Sequence, residues 1–168
     1  MASADQKGTW DVTNAYFETI ILIERLHRRF LDMLKAELDR GGIGDINNIQ
    51  ALILYNIGRD ELTVGELTAR GYYLGSNVSY NVKKMVENGY LMQERSDHDR
   101  RTVWVRSSDK GLALRDRLEQ LFQRHVDTLD GAQLNQSTLQ TGNSVLRQLE
   151  RFWSMNSGFA GMRIPDVA

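Results

Sequence analysis

Between Ser76 and Lys84 the chain crowds together six side chains that can hydrogen-bond or carry positive charge: Ser76, Asn77, Ser79, Tyr80, Lys83 and Lys84. The apolar residues threaded through them, Val78, Val82, Met85 and Val86, are spaced by four, three and one. On a helix they make one narrow buried stripe and leave the six polar residues off it. Hydroxyl, amide, phenol and ammonium groups along one side of a helix can reach base edges in a major groove and neutralise phosphates. A second charged cluster, Ser96-Asp97-His98-Asp99-Arg100, connects two strand-like runs and continues into Arg101. Other chemistries find little support. The chain has no cysteine, which excludes disulfides, thiolate catalysis and cysteine-ligated zinc. Its three histidines, His27, His98 and His125, have no metal-ligand spacing, and a polar role near the core is expected for His27 and His125. There is no glycine-rich phosphate loop and no nucleophile-elbow pattern, so no enzyme and no cofactor or metal are expected.

The elements needed to hold these residues are legible as periodicity. Asp11 to Arg40 reads as one long helix with Phe17, Ile20, Ile21, Leu26 and Leu34 among its apolar positions, capped by Asp11 or Thr13 and stopped by Gly41, Gly42 and Gly44. Such length suits packing against a partner chain or another long helix. A second helix runs from Asp45 or Asn47 to Ile57. Glu61-Leu62-Thr63 is a bridging strand. Thr63 and Glu66 have capping-box spacing at the start of a short helix, Val64 to Ala69. Ser76 or Asn77 caps the polar helix, which ends at Asn88 before Gly89. The period then changes to two. Tyr90 to Arg95 and Thr102 to Arg106 form a β-hairpin with a basic tip. Ser108 or Asp109 starts the next helix, and Ser137 to Met155 is the last, with a loose tail from Asn156.

At 168 residues, 41% of them hydrophobic, the chain suits a single, mainly α domain with a small β-hairpin. The net charge is −1, yet Arg70 to Arg106 holds seven basic residues against four acidic ones. Positive charge is therefore concentrated in the middle third, where the polar helix lies. Met1 to Lys7 is polar, without an apolar signal core, and no run approaches the ~18 apolar residues of a membrane span. A cytoplasmic protein without a membrane partner is expected.

The order helix, short strand, helix, turn, helix, β-hairpin is that of a winged helix-turn-helix. Leu67 to Leu91 resembles, without a gap, the helix-turn-helix of MarR-family regulators. The best-matching pieces are Glu66-Leu67, Asn77-Val78-Ser79, Val82 and Glu87-Asn88-Gly89-Tyr90-Leu91. Asp97 to Val105 is similar to the family's wing signature, which closes on Lys110-Gly111. Ser107-Ser108 stand where the family has Leu-Thr, and Asn81 stands where it often has an apolar residue and is expected to face solvent or DNA.

The resemblance implies a transcription regulator, repressor or activator, that binds double-stranded DNA as a homodimer. It assigns 45–106 to a winged-helix lobe, 11–40 and 108–155 to dimerisation helices, and 156–168 to a tail. Asn77 and Tyr80 are then expected at base edges, with Ser76, Ser79, Lys83 and Lys84 on phosphates. Asp99 orients Arg101 into the minor groove, and Arg100 takes a phosphate or the groove position itself. Many family members bind a small aromatic or lipophilic effector between the dimerisation helices and the lobe. Tyr16, Ile20, Ile23, Tyr55, Trp104 and Phe122 are the expected wall residues here, although apolar residues at helical spacing are also simple core. A winged-helix protein-interaction module without specific DNA readout is the competing reading, and the near-neutral total charge allows it.

Overall fold

A computed structural model describes residues 4–69, 75–95 and 102–156, with side chains over 11–69, 77–95, 102–129 and 131–155. The chain divides into two compact units, 1–49 and 50–168.

The first unit is built on α1 (Ala4–Arg40). At 1.5 Å per residue it is roughly 55 Å long. It begins seven residues before Asp11, so neither Asp11 nor Thr13 caps it. The stretch Ala4 to Lys7 is rich in good helix formers and contains no proline, so nothing stops the helix at Asp11. Its C-terminus closes as a Schellman motif. Gly42 takes φ +64°, Gly42 N–H donates to Asp39 O at 3.0 Å and Ile43 N–H to Leu38 O at 2.9 Å. Asn48 Nδ2 then donates to Leu31 O at 3.0 Å, tying the following segment back to the helix. Leu34 and Leu38 are buried near this end, whereas Val12, Phe17, Ile21 and Leu26 stand exposed further up.

The second unit takes up the chain within α2 (Asn48–Ile57) and continues through β1 (Glu61–Thr63), α3 (Val64–Ala69), α4 (Gly75–Glu87), β2 (Leu91–Arg95), β3 (Val103–Ser107), α5 (Asp109–Val126) and α6 (Gln136–Asn156). The expected order of elements is present. The sheet is antiparallel in the order β1-β3-β2. Leu62 pairs with Val105, and Val105 with Gln93. Leu62, Leu91 and Val105 join Leu54, Ile57, Leu67, Met85 and Leu118 in the buried core. The period-two alternation puts Trp104 and Arg106 on the opposite face of β3 from Val105.

Local signals set the element ends. At α3 the capping box forms in both directions: Glu66 N–H donates to Thr63 Oγ1 at 3.0 Å, and Thr63 N–H to Glu66 Oε2 at 2.7 Å. At α4 the helix already includes Gly75, so Ser76 and Asn77 lie in its first turn and do not cap it. At α5 Ser108 is the N-cap and accepts from Gly111 N–H at 3.0 Å. At α6 the cap is Asn135, whose side-chain oxygen accepts from Thr138 N–H at 3.0 Å. The last helix thus starts one residue before Ser137, and the described chain ends at Asn156. His27 and His125 are both exposed, not near the core.

Candidate nucleic-acid interface

The polar helix foreseen in the sequence is α4, and its two sides differ sharply. Val78, Val82 and Met85 are buried. Asn77, Ser79, Tyr80 and Lys83 are exposed on the other side, Tyr80 at 61% and the Lys83 side chain at 75%. Lys84 is half-buried at the border. The Tyr80 phenol is thus open to contact from outside the lobe. Ser76 is helical, and its side chain is outside the described residues. The short helix α3 packs beside α4, and β2 follows it, so the polar side of α4 is carried on the packed lobe. An open cavity of about 460 Å³ lies between the start of α3, α4 and the sheet, with Thr63, Ser79, Lys83, Gln93 and Val103 on its walls.

The frame is tied at the C-terminal end of α4. Gly89, at φ +76°, ends the helix in a second Schellman motif: Gly89 N–H donates to Val86 O at 3.0 Å and Tyr90 N–H to Met85 O at 2.8 Å. The start of α5 latches onto this corner. Ser108 Oγ donates to Gly89 O at 2.6 Å. Lys110 Nζ donates to Asn88 O at 2.9 Å and lies 4.1 Å from the Tyr90 ring centre. Gly111 must be glycine, because a Cβ there would come within 2.2 Å of Tyr90 O.

Asn81 departs from expectation. It does not face solvent or DNA but lies on the buried stripe, 9% exposed. The reason is register: 78, 81, 82 and 85 share one helical face. Its amide is satisfied there. Asn81 Nδ2 donates to Asn77 O at 2.8 Å, and Asn81 Oδ1 accepts from Gln50 Nε2 at 3.2 Å. Gln50 is 6% exposed and was not singled out in the sequence. The available signal was its place beside Ala51, Leu54 and Ile57, which put it on the inner face of α2.

The lysines carry a local counter-charge. Glu87 Oε2 accepts from Lys84 Nζ at 2.7 Å, and Glu87 Oε1 is 3.9 Å from Lys83 Nζ. The hydrogen bond from Lys84 holds the Glu87 carboxyl below the usual carboxylate range, and the same bond raises Lys84. Both shifts favour the charged pair, so both groups are ionised at neutral pH. Asp99, Arg100 and Arg101, the predicted wing-tip residues, lie outside the described residues. The strands that lead to them, β2 and β3, are in place.

The expected effector-wall residues divide between the two units. In the first, Tyr16 and Ile23 are half-buried and Ile20 is exposed. In the second, Tyr55 and Phe122 meet edge to face with ring centres 4.9 Å apart, joining α2 to α5. Tyr55 Oη donates to Glu119 Oε2 at 2.8 Å. Burial and this bond raise the Tyr55 phenol above its ordinary value. Trp104 lines a separate open cavity on the sheet with Glu61, Met92, Glu94 and Arg106, and neither Tyr55 nor Phe122 borders it. Among the described residues no group of histidine, aspartate or glutamate has the arrangement of a metal site. No helix among them is long and apolar enough to cross a membrane.

Residues 44–102 match the sequence pattern described as MarR family. The exopolysaccharide II synthesis transcriptional activator ExpG of Rhizobium meliloti (strain 1021) is 37% identical over 149 residues, spanning 89% of this chain and 77% of the relative. Among solved structures, a mutant MarR from E. coli complexed with operator DNA superposes with a TM-score of 0.67 at 20% identity, over 81% of this chain and 96% of the other. A MarR transcriptional regulator from Methanosarcina mazei Go1 gives 0.68 at 19% identity, over 82% and 99%. Streptococcus pneumoniae FabT in complex with DNA gives 0.66 at 18% identity, over 83% and 97%. With a winged helix-turn-helix in place and a relative this similar over most of its length, the chain belongs to the MarR family of DNA-binding transcription regulators and is not an enzyme.

Proposed function

We propose that this protein binds a near-palindromic DNA site as a homodimer in the cytoplasm and there represses or activates transcription. The observation that carries the reading is the division of α4: an apolar side locked into the lobe, and a side bearing Asn77, Ser79, Tyr80 and Lys83 open to solvent. In this reading Asn77 and Tyr80, near the helix N-terminus, meet base edges, and Ser76, Ser79, Lys83 and Lys84 meet phosphates. Arg101 enters the adjacent minor groove with Asp99 orienting it, and Arg100 contacts the backbone or takes the groove position itself. The second copy supplies the symmetry, with two recognition helices about 34 Å apart. Exposed apolar surface supports it: Leu26 on α1 and Val145 and Leu146 on α6 stand open to solvent in the single chain. A small aromatic or lipophilic effector, walled by residues among Tyr16, Ile20, Ile23, Tyr55, Trp104 and Phe122, would act by favouring one spacing of the two helices.

A gel-shift titration on the DNA upstream of the protein's own gene, at two salt concentrations with excess competitor, tests this. The reading predicts competitor-resistant binding that weakens as salt rises, since phosphate contacts release counterions. It also predicts that Arg101→Ala weakens binding while leaving the melting temperature nearly unchanged. Weak, sequence-blind binding, there and in a selection from randomised DNA, would instead favour a protein-interaction module.

A further inference from the structure

The buried amide pair formed by Gln50 and Asn81 has no role in the contacts proposed above, and its position is unusual. It lies in the apolar core under the recognition helix, where a leucine pair would pack without any hydrogen-bonding requirement. Both side chains are more than nine-tenths buried. The bonds form a chain: Gln50 Nε2 to Asn81 Oδ1 at 3.2 Å, then Asn81 Nδ2 to Asn77 O at 2.8 Å. That chain runs from α2 through the core to the backbone of the α4 turn that carries Ser76, Asn77 and Tyr80.

We infer that Gln50 and Asn81 are positioning residues for sequence readout, which fix the rotation and axial register of the recognition helix against α2. The inference rests on the proposed DNA reading and deepens it. The physical reason is the difference between apolar and amide contacts. An apolar stripe such as Val78-Val82-Met85 tolerates small slides and rotations, because dispersion contacts are undirected. A buried amide pair does not, since a shift that breaks either bond strands a polar group in the core. Base edges demand that tolerance: side chains that read them must be held within ~0.5 Å of the productive geometry. Phosphate contacts by flexible lysines are far less demanding. The pair therefore sharpens specificity and contributes little to sequence-independent affinity.

The test uses the 168-residue chain and the double variant Gln50→Leu/Asn81→Leu, in which both amides are replaced at once so that neither is left facing the other's absence. Each protein is titrated against the duplex that the wild type selects from a randomised pool and against a scrambled duplex, at several salt concentrations, with thermal melting followed by circular dichroism. The expected result is an unchanged or raised melting temperature, scrambled-duplex affinity within about twofold, an unchanged salt slope, and about a tenfold loss on the selected site, the scale of one lost base contact. The single variants Asn81→Leu and Gln50→Leu should each lose as much discrimination as the double, because the two residues act as a unit. Full discrimination in a folded double variant overturns the inference. Equal losses on both duplexes, or a double variant that does not fold, also overturn it, because the pair would then hold the lobe together and not aim a helix. A wild type that selects no site overturns the DNA reading itself, and this inference with it.

Discussion

At the scale of single residues, the balance of charge on α4 is set by Glu87 as much as by the lysines. Its carboxylate sits 2.7 Å from Lys84 and 3.9 Å from Lys83, so both cations face an incoming phosphate already partly neutralised. Exposed pairs of this kind contribute little to stability. Their cost falls on binding, because the pair must be shared or broken when a phosphate arrives. Glu87→Gln is therefore expected to tighten DNA binding several-fold at low salt and to steepen the salt slope by about one phosphate contact. The gain should shrink as salt rises and screening takes over. A gel-shift series over salt checks this, and an unchanged slope would mean that Lys84 does not reach the backbone. The polar residues on the outer side of α4 were legible in the sequence because the apolar stripe marks the inner side. Asn81 was not legible as core, because an amide reads as surface and its partner Gln50 is 31 positions away. Only the stripe's own arithmetic, with 81 between 78 and 85, pointed inward.

At the scale of elements, the corner between α4 and α5 couples the recognition helix to the helix after the wing. Three residues, Ser108, Lys110 and Gly111, meet the Asn88-Gly89-Tyr90 turn through side-chain hydrogen bonds, a cation over a ring and a close backbone approach. The approach at Gly111 leaves no room for a methyl group, since the neighbour is a backbone carbonyl that cannot rotate away. Gly111→Ala should accordingly cost about 2–3 kcal/mol, read as a lower denaturant midpoint at constant slope. Gly142→Ala, where nothing lies within 4 Å of the added Cβ, is the control and should be neutral or slightly stabilising. The elements and most of their ends followed from the sequence, because caps and terminal glycines are local signals: Thr63 with Glu66, Gly42, Gly89 and Ser108 all act where expected. The misses were also local. The start of α1 moved from Asp11 to Ala4 because a good cap is not a stop signal, and no proline stands before it to break the helix.

At the scale of the whole molecule, large apolar side chains stand exposed on both α1 and α6. Phe17 is 57% exposed and Leu26 62%, and α6 adds Val145, Leu146 and Phe152. The hydrophobic effect favours covering such faces at roughly 25 cal/mol per Å², and a symmetric pair of chains is the simplest cover. If the proposed homodimer packs through α1, Leu26→Glu should shift it toward monomer in sedimentation velocity, and DNA affinity should fall with it, because one half-site alone binds weakly. A Leu26→Glu chain that remains a dimer would remove α1 from the interface. The charge distribution agrees with this division of labour. The total is near neutral, while the middle third, which carries α4 and the wing, holds the surplus of basic residues.

The central claim is that the outer side of α4 reads DNA sequence. Its most direct test is a selection from randomised duplexes with the wild type and with Asn77→Ala, which removes the side chain but keeps the backbone carbonyl that Asn81 holds. A two-fold symmetric site is expected for the wild type. For the variant, lost preference is expected at one position in each half-site, with the other positions retained. The same preferences in both proteins, or no enriched site in either, would contradict the claim.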